Sequence, residues 1–374
     1  MNPDENPEQD LPLRFTVREL AGSVGDFGTI LPIVLGVAAV TDIALFPVFL
    51  FFGIWFIISG WYYRLPIPIE PMKAVGVVVI AERTLASVVA ASGFLLGVIF
   101  YLLGHFRVMA FLREKIPGSV IRGIQLGLAL ILLRTSAGFI IDDPSFFLIS
   151  LGIILLFFFV SRRSGVPDVS ALIVVFLGIA AGIYLHGLPP LEFNLFPRFT
   201  IPSLDSILFG FWELVVPQIP LTIANAILAT ALLASDLFHR EVKPDRLSRT
   251  IGLMNIVSTP LGGFPMCHGA GGLAAEYRFG ARTGGANIFA GVILILFALL
   301  FSSPGTVSLI PVGVFGALLI FVAIELGRYG IRTESYLVTI PMAVIALVEG
   351  ITVAFIFGMV FAYVLEWWRE REER

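Results

Sequence analysis

Two short stretches with related sequences carry the side chains best suited to chemistry in this chain. Each places polar or glycine residues directly after a proline, inside strongly apolar sequence: Pro71-Met72-Lys73-Ala74 and Pro265-Met266-Cys267-His268-Gly269. A helix that begins at a proline in mid-membrane leaves its first N–H groups unpaired and points the positive end of its dipole at whatever lies in front of it. Two such ends that face each other predict a binding site for an anion.

The charge available at such a site suits a dianion. Each helix N-terminus acts as about +0.5 charge, so two ends together with a protonated Lys73 supply about +2. Gly269, Gly271 and Gly272 have no side chains, which lets a ligand approach the second terminus closely. We therefore expect substrate contacts from the residues that follow the prolines: Met72, Lys73, Ala74, Met266, Cys267, His268 and Gly269.

The composition places these stretches in a membrane protein. Of the 374 residues, 57% are hydrophobic and 14% are charged, and the mean hydropathy is +0.95. Soluble domains have about 45–50% apolar and about 25% charged residues, so a polytopic protein in the lipid bilayer is predicted. The net charge of -3 comes without a basic stripe, and we expect no nucleic acid partner. A single cysteine excludes an intrachain disulfide, and we expect no cofactor and no bound metal.

Apolar segments of about 20 residues predict the membrane spans. Charges, prolines and polar clusters separate fourteen of them. They lie near residues 22–40, 43–63, 71–84, 86–105, 118–135, 145–161, 168–186, 207–237, 246–260, 265–279, 283–302, 306–327, 333–347 and 349–367. The third and tenth are too short to cross, and we interpret them as half-helices continued by extended chain. Glu82 and Glu276 lie about 16 Å along these helices from their prolines, which predicts a position at the membrane surface.

Lys and Arg residues collect at alternate ends of the predicted spans, as they do in cytoplasmic loops. With the N-terminus inside, only Arg83, Arg134 and Arg198 fall on the other side of the membrane. An even number of spans, with both termini cytoplasmic, is the simplest arrangement in a cell membrane, whether inner or plasma membrane. The first twenty residues show no apolar stretch typical of a cleaved signal peptide.

Seven spans in each half predict an inverted repeat. A shift of 194 residues aligns Pro71 with Pro265 and Met72 with Met266, and it also aligns the opening of the first span, SVGDFGTILP, with that of the eighth, PQIPLTIANA. Interrupted segments at corresponding positions of two halves indicate a transporter site. We expect side chains from these two spans to close the site: Asp26, Thr29, Gln218, Thr222 and Asn225.

Three residues are candidates for proton coupling, namely Asp26, Glu70 and His268. Two of them also have a structural interpretation. Asp26 could make a structural hydrogen bond, and His268 could hydrogen-bond a neighbouring helix. Lys73 could pair with Glu70 or Asp26 instead of contacting substrate. Cys267 is expected to be a small packing residue rather than a metal ligand.

The stretches PIEPMKAVG (68–76), VPQIPLTIANAILA (216–229) and GGFPMCHGAGGLAAEYRFGARTGG (262–285) resemble the molybdate transporters of the sulfate permease superfamily. The resemblance covers the whole membrane portion. It implies an all-α polytopic membrane protein of the UraA/SulP-like fold, with about 14 transmembrane segments in a 7+7 inverted repeat. It also implies short extended strands before half-helices 3 and 10, and an oxyanion held between these half-helices.

The resemblance further implies a core domain formed by spans 1–4 and 8–11 and a gate domain formed by spans 5–7 and 12–14. The expected boundaries are 1–20 for a cytoplasmic N-terminal segment, 21–105 for the core and 106–205 for the gate of the first repeat, 206–303 for the core and 304–367 for the gate of the second repeat, and 368–374 for a cytoplasmic tail.

Two features depart from the pattern expected of the superfamily. Glu70 and Glu276 stand where we expect glutamine, so additional acid lies near the site. The sequence ends at Arg374 without the regulatory domain expected of sulfate permeases, which favours the molybdate branch.

The sequence therefore predicts a secondary transporter that imports a tetrahedral oxyanion by alternating access and proton symport. Molybdate is the first candidate, and sulfate or tungstate is next; a homodimer is compatible with this prediction. Alternatives are a nucleobase or carboxylate carrier of the same fold and an anion channel. We expect no enzyme, because the sequence lacks paired catalytic carboxylates or a nucleophile with a positioned base.

Overall fold

The computed structural model describes residues 12–164, 169–187, 203–303 and 305–372, and most of these residues are helical. The first half contains, in order, α1 (Val17–Ser23), α2 (Phe27–Val40), α3 (Leu45–Tyr63), β1 (Glu70–Pro71), α4 (Lys73–Glu82), α5 (Ala86–His105), α6 (Met109–Lys115), α7 (Gly118–Asp142), α8 (Pro144–Ser164) and α9 (Ser170–His186). Parts of the predicted segments 1–20, 106–205, 304–367 and 368–374, including residues 168 and 304 and Arg198, lie outside the described residues.

The second half begins with a continuous helix from Leu204 to Phe238 in which α and π turns alternate. Its elements and those that follow are α10 (Leu204–Gly210), a π turn (Phe211–Val215), α11 (Val216–Leu221), a second π turn (Thr222–Ala229), α12 (Thr230–Phe238), α13 (Pro244–Ser258), a 3-10 turn (Thr259–Leu261), β2 (Met266–Cys267), α14 (Ala270–Phe279), α15 (Gly285–Leu300), α16 (Gly305–Ser308), α17 (Val312–Gly330), α18 (Tyr336–Glu349) and α19 (Ile351–Glu372).

Within the described residues, seven helices are long and apolar enough to cross a membrane. They are Val17–Val40, Leu45–Tyr63, Ala86–His105, Gly118–Asp142, Leu204–Phe238, Val312–Gly330 and Ile351–Trp368, and four shorter apolar helices accompany them. The chain is therefore a multi-pass, mostly helical membrane protein. The full count of fourteen spans stays a prediction.

Two predicted span boundaries differ from the structure by more than five residues. The fifth span was expected to end at residue 135, but α7 continues to Asp142. Arg134 does not end the helix because its guanidinium donates to the Leu347 carbonyl oxygen. The twelfth span was expected to begin at residue 306, but a separate short helix, α16, ends at Ser308 and α17 begins only after Pro311.

The half-helices also begin later than their prolines, which corrects the expectation of helices that start at Pro71 and Pro265. Pro71 lies in β1, α4 begins at Lys73, and α14 begins at Ala270. The prolines stand in extended chain because β1 and β2 pair antiparallel, with Glu70 opposite Cys267 and Pro71 opposite Met266. This small sheet agrees with the extended strands that the resemblance implies.

Extended backbone at membrane depth survives only where other groups satisfy it. Here Asn255 on α13 acts as a clamp, because its amide oxygen accepts from the Met266 N–H (2.8 Å) and its amide nitrogen donates to the Met266 carbonyl (2.6 Å). On the other strand segment, Ser59 donates to the Ile67 carbonyl oxygen at 2.7 Å. The extended chain before each half-helix is therefore held by side chains of neighbouring helices, Asn255 of α13 and Ser59 of α3.

Close packing holds the helices around this extended chain. Helix α3 packs on α15 and α5 packs on α13, while α7 packs on α17 and α18. Glycines allow the closest approaches, since small residues let helix backbones meet inside membranes. A Cβ atom on Gly53 of α3 would lie 2.6 Å from the Gly291 carbonyl oxygen of α15.

Candidate functional site

The only lysine in the membrane-embedded part described here makes two ion pairs at the start of α4. The Lys73 ammonium lies 3.1 Å from Glu70 Oε2 and 3.9 Å from Glu325 Oε1. Lys73 is 13% exposed and Glu70 is 2% exposed, so the pair between them is largely removed from solvent. Of the two acidic partners that the sequence left open, the structure pairs Lys73 with Glu70.

Glu325 on α17 was missed by the sequence analysis. A signal for it existed, because an acidic side chain inside an apolar span is costly unless it has a partner or a function. The residue lies within the predicted gate segment and brings α17 to the site. The site is therefore built from four parts of the chain: β1 with α4, β2 with α14, the Leu204–Phe238 helix, and α17.

The N-terminus of α4 is already capped by a side chain, which corrects the expectation that the first N–H groups after Pro71 are unpaired, at Met72 and Ala74. Gln218 Oε1 accepts from the N–H groups of Ala74 (3.0 Å) and Val75 (3.3 Å). The Met72 N–H donates to the Pro265 carbonyl oxygen at 2.9 Å. Gln218 is held in turn because its amide nitrogen donates to Thr222 Oγ1 at 2.8 Å. Gln218 and Thr222 thus act on the half-helix rather than standing free for a ligand.

The N-terminus of α14 is occupied by a carboxylate of the chain itself. Glu70 Oε1 accepts from the Gly272 N–H at 2.9 Å. Gly269, in an extended conformation before α14, leaves the room that this carboxylate fills, because a Cβ there would overlap it. Glu70 therefore lies where the sequence predicted a bound anion.

Two more buried carboxyl groups have no hydrogen-bond partners among the described residues, those of Asp26 before α2 and Glu276 on α14. Asp26 precedes α2 and touches the first turn of α14, where a Cβ on Gly272 would lie 2.5 Å from the carboxyl carbon of Asp26. The structural hydrogen bond considered for Asp26 is absent among these residues. Thr29 lies one turn further along α2 and is also buried.

The expected surface position of Glu276 is wrong, whereas Glu82 is exposed as expected. Glu276 is fully buried because the break between α1 and α2 packs over the end of α14. A Cβ on Gly25, in that break, would lie 2.8 Å from the Glu276 backbone nitrogen. The neighbouring Arg278 stays exposed on the opposite face of the helix.

Both ring nitrogens of His268 are engaged by the protein. Nδ1 lies 3.0 Å from the Pro68 carbonyl oxygen and Nε2 lies 2.8 Å from Thr250 Oγ1. Since a carbonyl oxygen only accepts, Nδ1 carries the proton, and in a neutral imidazole Nε2 is then the acceptor. The Tyr63 ring packs edge-on against the imidazole at 5.7 Å. This arrangement favours the structural interpretation of His268.

A small cavity of about 30 Å³ remains at the site. That is room for about one water molecule. Of the twelve residues predicted to contact the substrate or close the site, seven line this cavity: Lys73, Gln218, Thr222, Asn225, Cys267, His268 and Gly269. The other five do not line it; of these, Met72, Ala74 and Met266 are packed with no exposed surface, Asp26 contacts α14, and Thr29 is buried on α2.

A larger cavity of about 640 Å³ lies at the far end of α4, away from the ion pairs. Its walls come from α4, the Leu204–Phe238 helix, α7 and α18. Its charged lining residues are Glu82, Arg83, Arg134, Asp142, Glu213 and Glu349. It opens between α4 and the Leu204–Phe238 helix on one side and α7 and α18 on the other, and it does not surround the N-termini of the half-helices.

Comparison with known proteins gives the family. The family model described as the molybdate transporters of the MFS superfamily matches residues 18–132 and 210–326. The chain is 31% identical to molybdate transporter 2 of Arabidopsis thaliana, across 93% of this chain and 87% of that protein.

Solved structures give the fold. The transmembrane domain of the cyanobacterial bicarbonate transporter BicA matches with a TM-score of 0.68 at 18% identity, covering 93% of this chain and 98% of that one. The murine Slc26a9 anion transporter in its inward-facing state matches with a TM-score of 0.70 at 15% identity, covering 96% and 69%. The fold is thus the UraA-like fold of the SLC26 and SulP transporters, although the family description names another superfamily.

The family model spans more than half of the chain, and the plant relative is similar along nearly all of it. The resemblance found in the sequence is confirmed, as is the expectation that the protein is not an enzyme, because its relatives are membrane transporters. The chain belongs to the molybdate transporter family and is an anion transporter.

Proposed function

We propose that this protein is a secondary active transporter that imports a tetrahedral oxyanion, with molybdate as the first candidate and sulfate or tungstate as the next. The observation that carries the proposal is the convergence of the Lys73 ammonium and the Gly272 N–H on a single carboxylate. A cation and a helix N-terminus are the donors that bind oxyanions strongly. The plant relative's name supports molybdate as the substrate.

The packing of the helices supports transport by alternating access. Helices α3, α5, α13 and α15 pack together and belong to the proposed core (21–105 and 206–303), whereas α7, α17 and α18 belong to the proposed gate (106–205 and 304–367). In the proposed inverted repeat, α3 corresponds to α13 and α5 corresponds to α15. The packed pair α3–α15 therefore corresponds to the packed pair α13–α5. Lys73 on the core side and Glu325 on the gate side meet at the site, so relative movement of the two domains would change access to it.

Proton symport is the proposed coupling, with Asp26 as the carrier of the proton. Its carboxyl oxygens are buried and lack hydrogen-bond partners among the described residues. A buried carboxylate without partners is costly, and a proton neutralises it. Asp26 touches the first turn of α14, so its charge acts on the same half-helix that would hold the anion.

Competition binding tests the choice of substrate. The purified protein in detergent should bind radiolabelled molybdate with saturation, and excess tungstate or sulfate should displace it while uracil and fumarate should not. Displacement by uracil or by fumarate would instead indicate a nucleobase or carboxylate carrier of the same fold.

Uptake into proteoliposomes tests the mode of transport. Molybdate uptake should saturate, should be driven by an inward proton gradient and should stop when a protonophore collapses that gradient. A flux that rises without saturation and ignores the gradient would indicate a channel.

A further inference from the structure

Glu70 occupies the donors that the proposed anion needs. Its Oε1 accepts from the Gly272 N–H at 2.9 Å, and its Oε2 lies 3.1 Å from the Lys73 ammonium. The carboxylate fills the space that the absent side chain of Gly269 leaves, and it is 2% exposed. The cavity left beside it, about 30 Å³, has room for about one water molecule.

A carboxylate and an oxyanion make the same charge-assisted hydrogen bonds to an ammonium and a backbone N–H. Because the donors are few and the space is filled, the two cannot occupy this position together. Glu70 is, among the described residues, the carboxylate that accepts from the N-terminus of a half-helix. The oxyanion can bind only when Glu70 gives up these donors.

The charges around Glu70 determine when its carboxylate releases the Gly272 N–H and the Lys73 ammonium. The groups that face it are Lys73 on α4, Glu325 on α17, Asp26 before α2, Glu276 on α14, and Cys267 and His268 on and after the paired strand. Lys73 is the one cation in this set, against three further carboxyl groups. A dianion that entered beside a charged Glu70 would meet strong repulsion, whereas a proton on Glu70 would remove both its charge and its hold on the donors.

We propose that Glu70 is a built-in competitor of the transported oxyanion, and that the proton it takes up is bound together with the anion. This inference rests on the proposed function and identifies a second proton-binding group beside Asp26. One proton from solvent forms an O–H bond with a Glu70 carboxylate oxygen, and only the hydrogen bonds of Glu70 to Gly272 and Lys73 are released. The freed N–H and ammonium then bind the anion, and the neutral carboxyl can donate to it.

Calorimetry of molybdate binding tests the inference on the purified full chain. Titrations at pH 6, 7 and 8, each in two buffers of different ionisation enthalpy, report how many protons are taken up per anion. Because the bound state requires the protonated form of Glu70, affinity should weaken as pH rises, by up to about tenfold per pH unit for one proton. Glu70→Gln, which carries no charge at any pH, should bind more tightly than the wild type at pH 8 and take up about one proton fewer per anion.

Glu82→Gln is the matched control, because it makes the same change on an exposed glutamate at the other end of α4. It should keep the proton uptake and pH dependence of the wild type. A Glu70→Gln protein that retains both would overturn the inference.

If the proposed function is wrong, the wild type itself would bind no molybdate, tungstate or sulfate at any pH. That result is distinct from a failure of the inference about Glu70.

If Glu70→Gln does not fold, Glu70→Asp takes its place. Its side chain is one methylene shorter, which withdraws the carboxylate from the Gly272 N–H. Tighter binding than the wild type at pH 8 would support the inference, and unchanged affinity would overturn it.

Discussion

At the scale of single residues, the site shows how the charge of a lysine is stabilised inside a membrane protein. A charged side chain near mid-membrane costs about 2.5–3.5 kcal/mol on insertion scales. Lys73 offsets that cost with two carboxylates, one from its own half-helix segment and one from α17. The same contacts hold its ammonium beside the N-terminus of α14, so the residue that balances charge in the ligand-free site is also the residue that would bind the anion.

Lys73→Ala should weaken molybdate binding by about 10- to 100-fold, because it removes a charge-assisted interaction worth about 1.5–3 kcal/mol. Equilibrium binding to the purified variant measures this change. Lys243→Ala, at an exposed lysine before α13, is the control and should bind like the wild type. Equal affinity in both variants would remove Lys73 from the site.

At the scale of elements, the protein satisfies the ends of its half-helices with its own side chains. Gln218 caps α4 and Glu70 caps α14. Gln218 reaches α4 from the Leu204–Phe238 helix, where Pro217 and Pro220 remove backbone donors and π turns replace regular α turns. Strand β2 is fixed by Asn255, and the packed helices around the site cross at glycines.

Gly53→Val should disrupt the crossing of α3 and α15. Its Cβ would lie 2.6 Å from the Gly291 carbonyl oxygen and 2.7 Å from Ile295 Cγ1, so the helices must separate. We expect a lower yield of folded protein and an apparent melting temperature several degrees lower in detergent. Gly152→Val on α8, where a Cβ meets nothing within 4 Å, should be tolerated. Equal loss in both variants would mean that close approach at Gly53 does not matter.

At the scale of the whole molecule, the helices of the proposed core and those of the proposed gate meet at the ion pair of Lys73 with Glu325. The wide cavity of about 640 Å³ opens at the far end of α4, on the side that the charge distribution predicts to be outside. The cavity beside Lys73 and Glu70 is by contrast nearly filled. Transport would require the proposed core and the proposed gate to move relative to each other, so that the filled site becomes accessible.

The predicted orientation can be tested with single cysteines, because the only native cysteine, Cys267, is buried and can be replaced by serine. In that background, Leu85→Cys after α4 should react with a membrane-impermeant thiol reagent added outside intact cells. Val17→Cys at the start of α1 should react only after the membrane is permeabilised. Both positions are exposed, at 60% and 83%. The reverse pattern would place the N-terminus outside.

The sequence by itself determined the membrane class, the family, the position of both broken segments and the presence of a lysine, Lys73, inside an apolar segment. These follow from local properties: apolar length, the proline and glycine breaks, and the cost of a charge in an apolar segment. Only the tertiary structure decided the partners. It placed Glu325 beside Lys73, Gln218 on α4 and Glu70 on α14, and it buried Glu276 beneath the break between α1 and α2. Such pairings depend on how helices distant in sequence pack together, and the spacing of residues along one segment carries no information about the neighbour that will cover it.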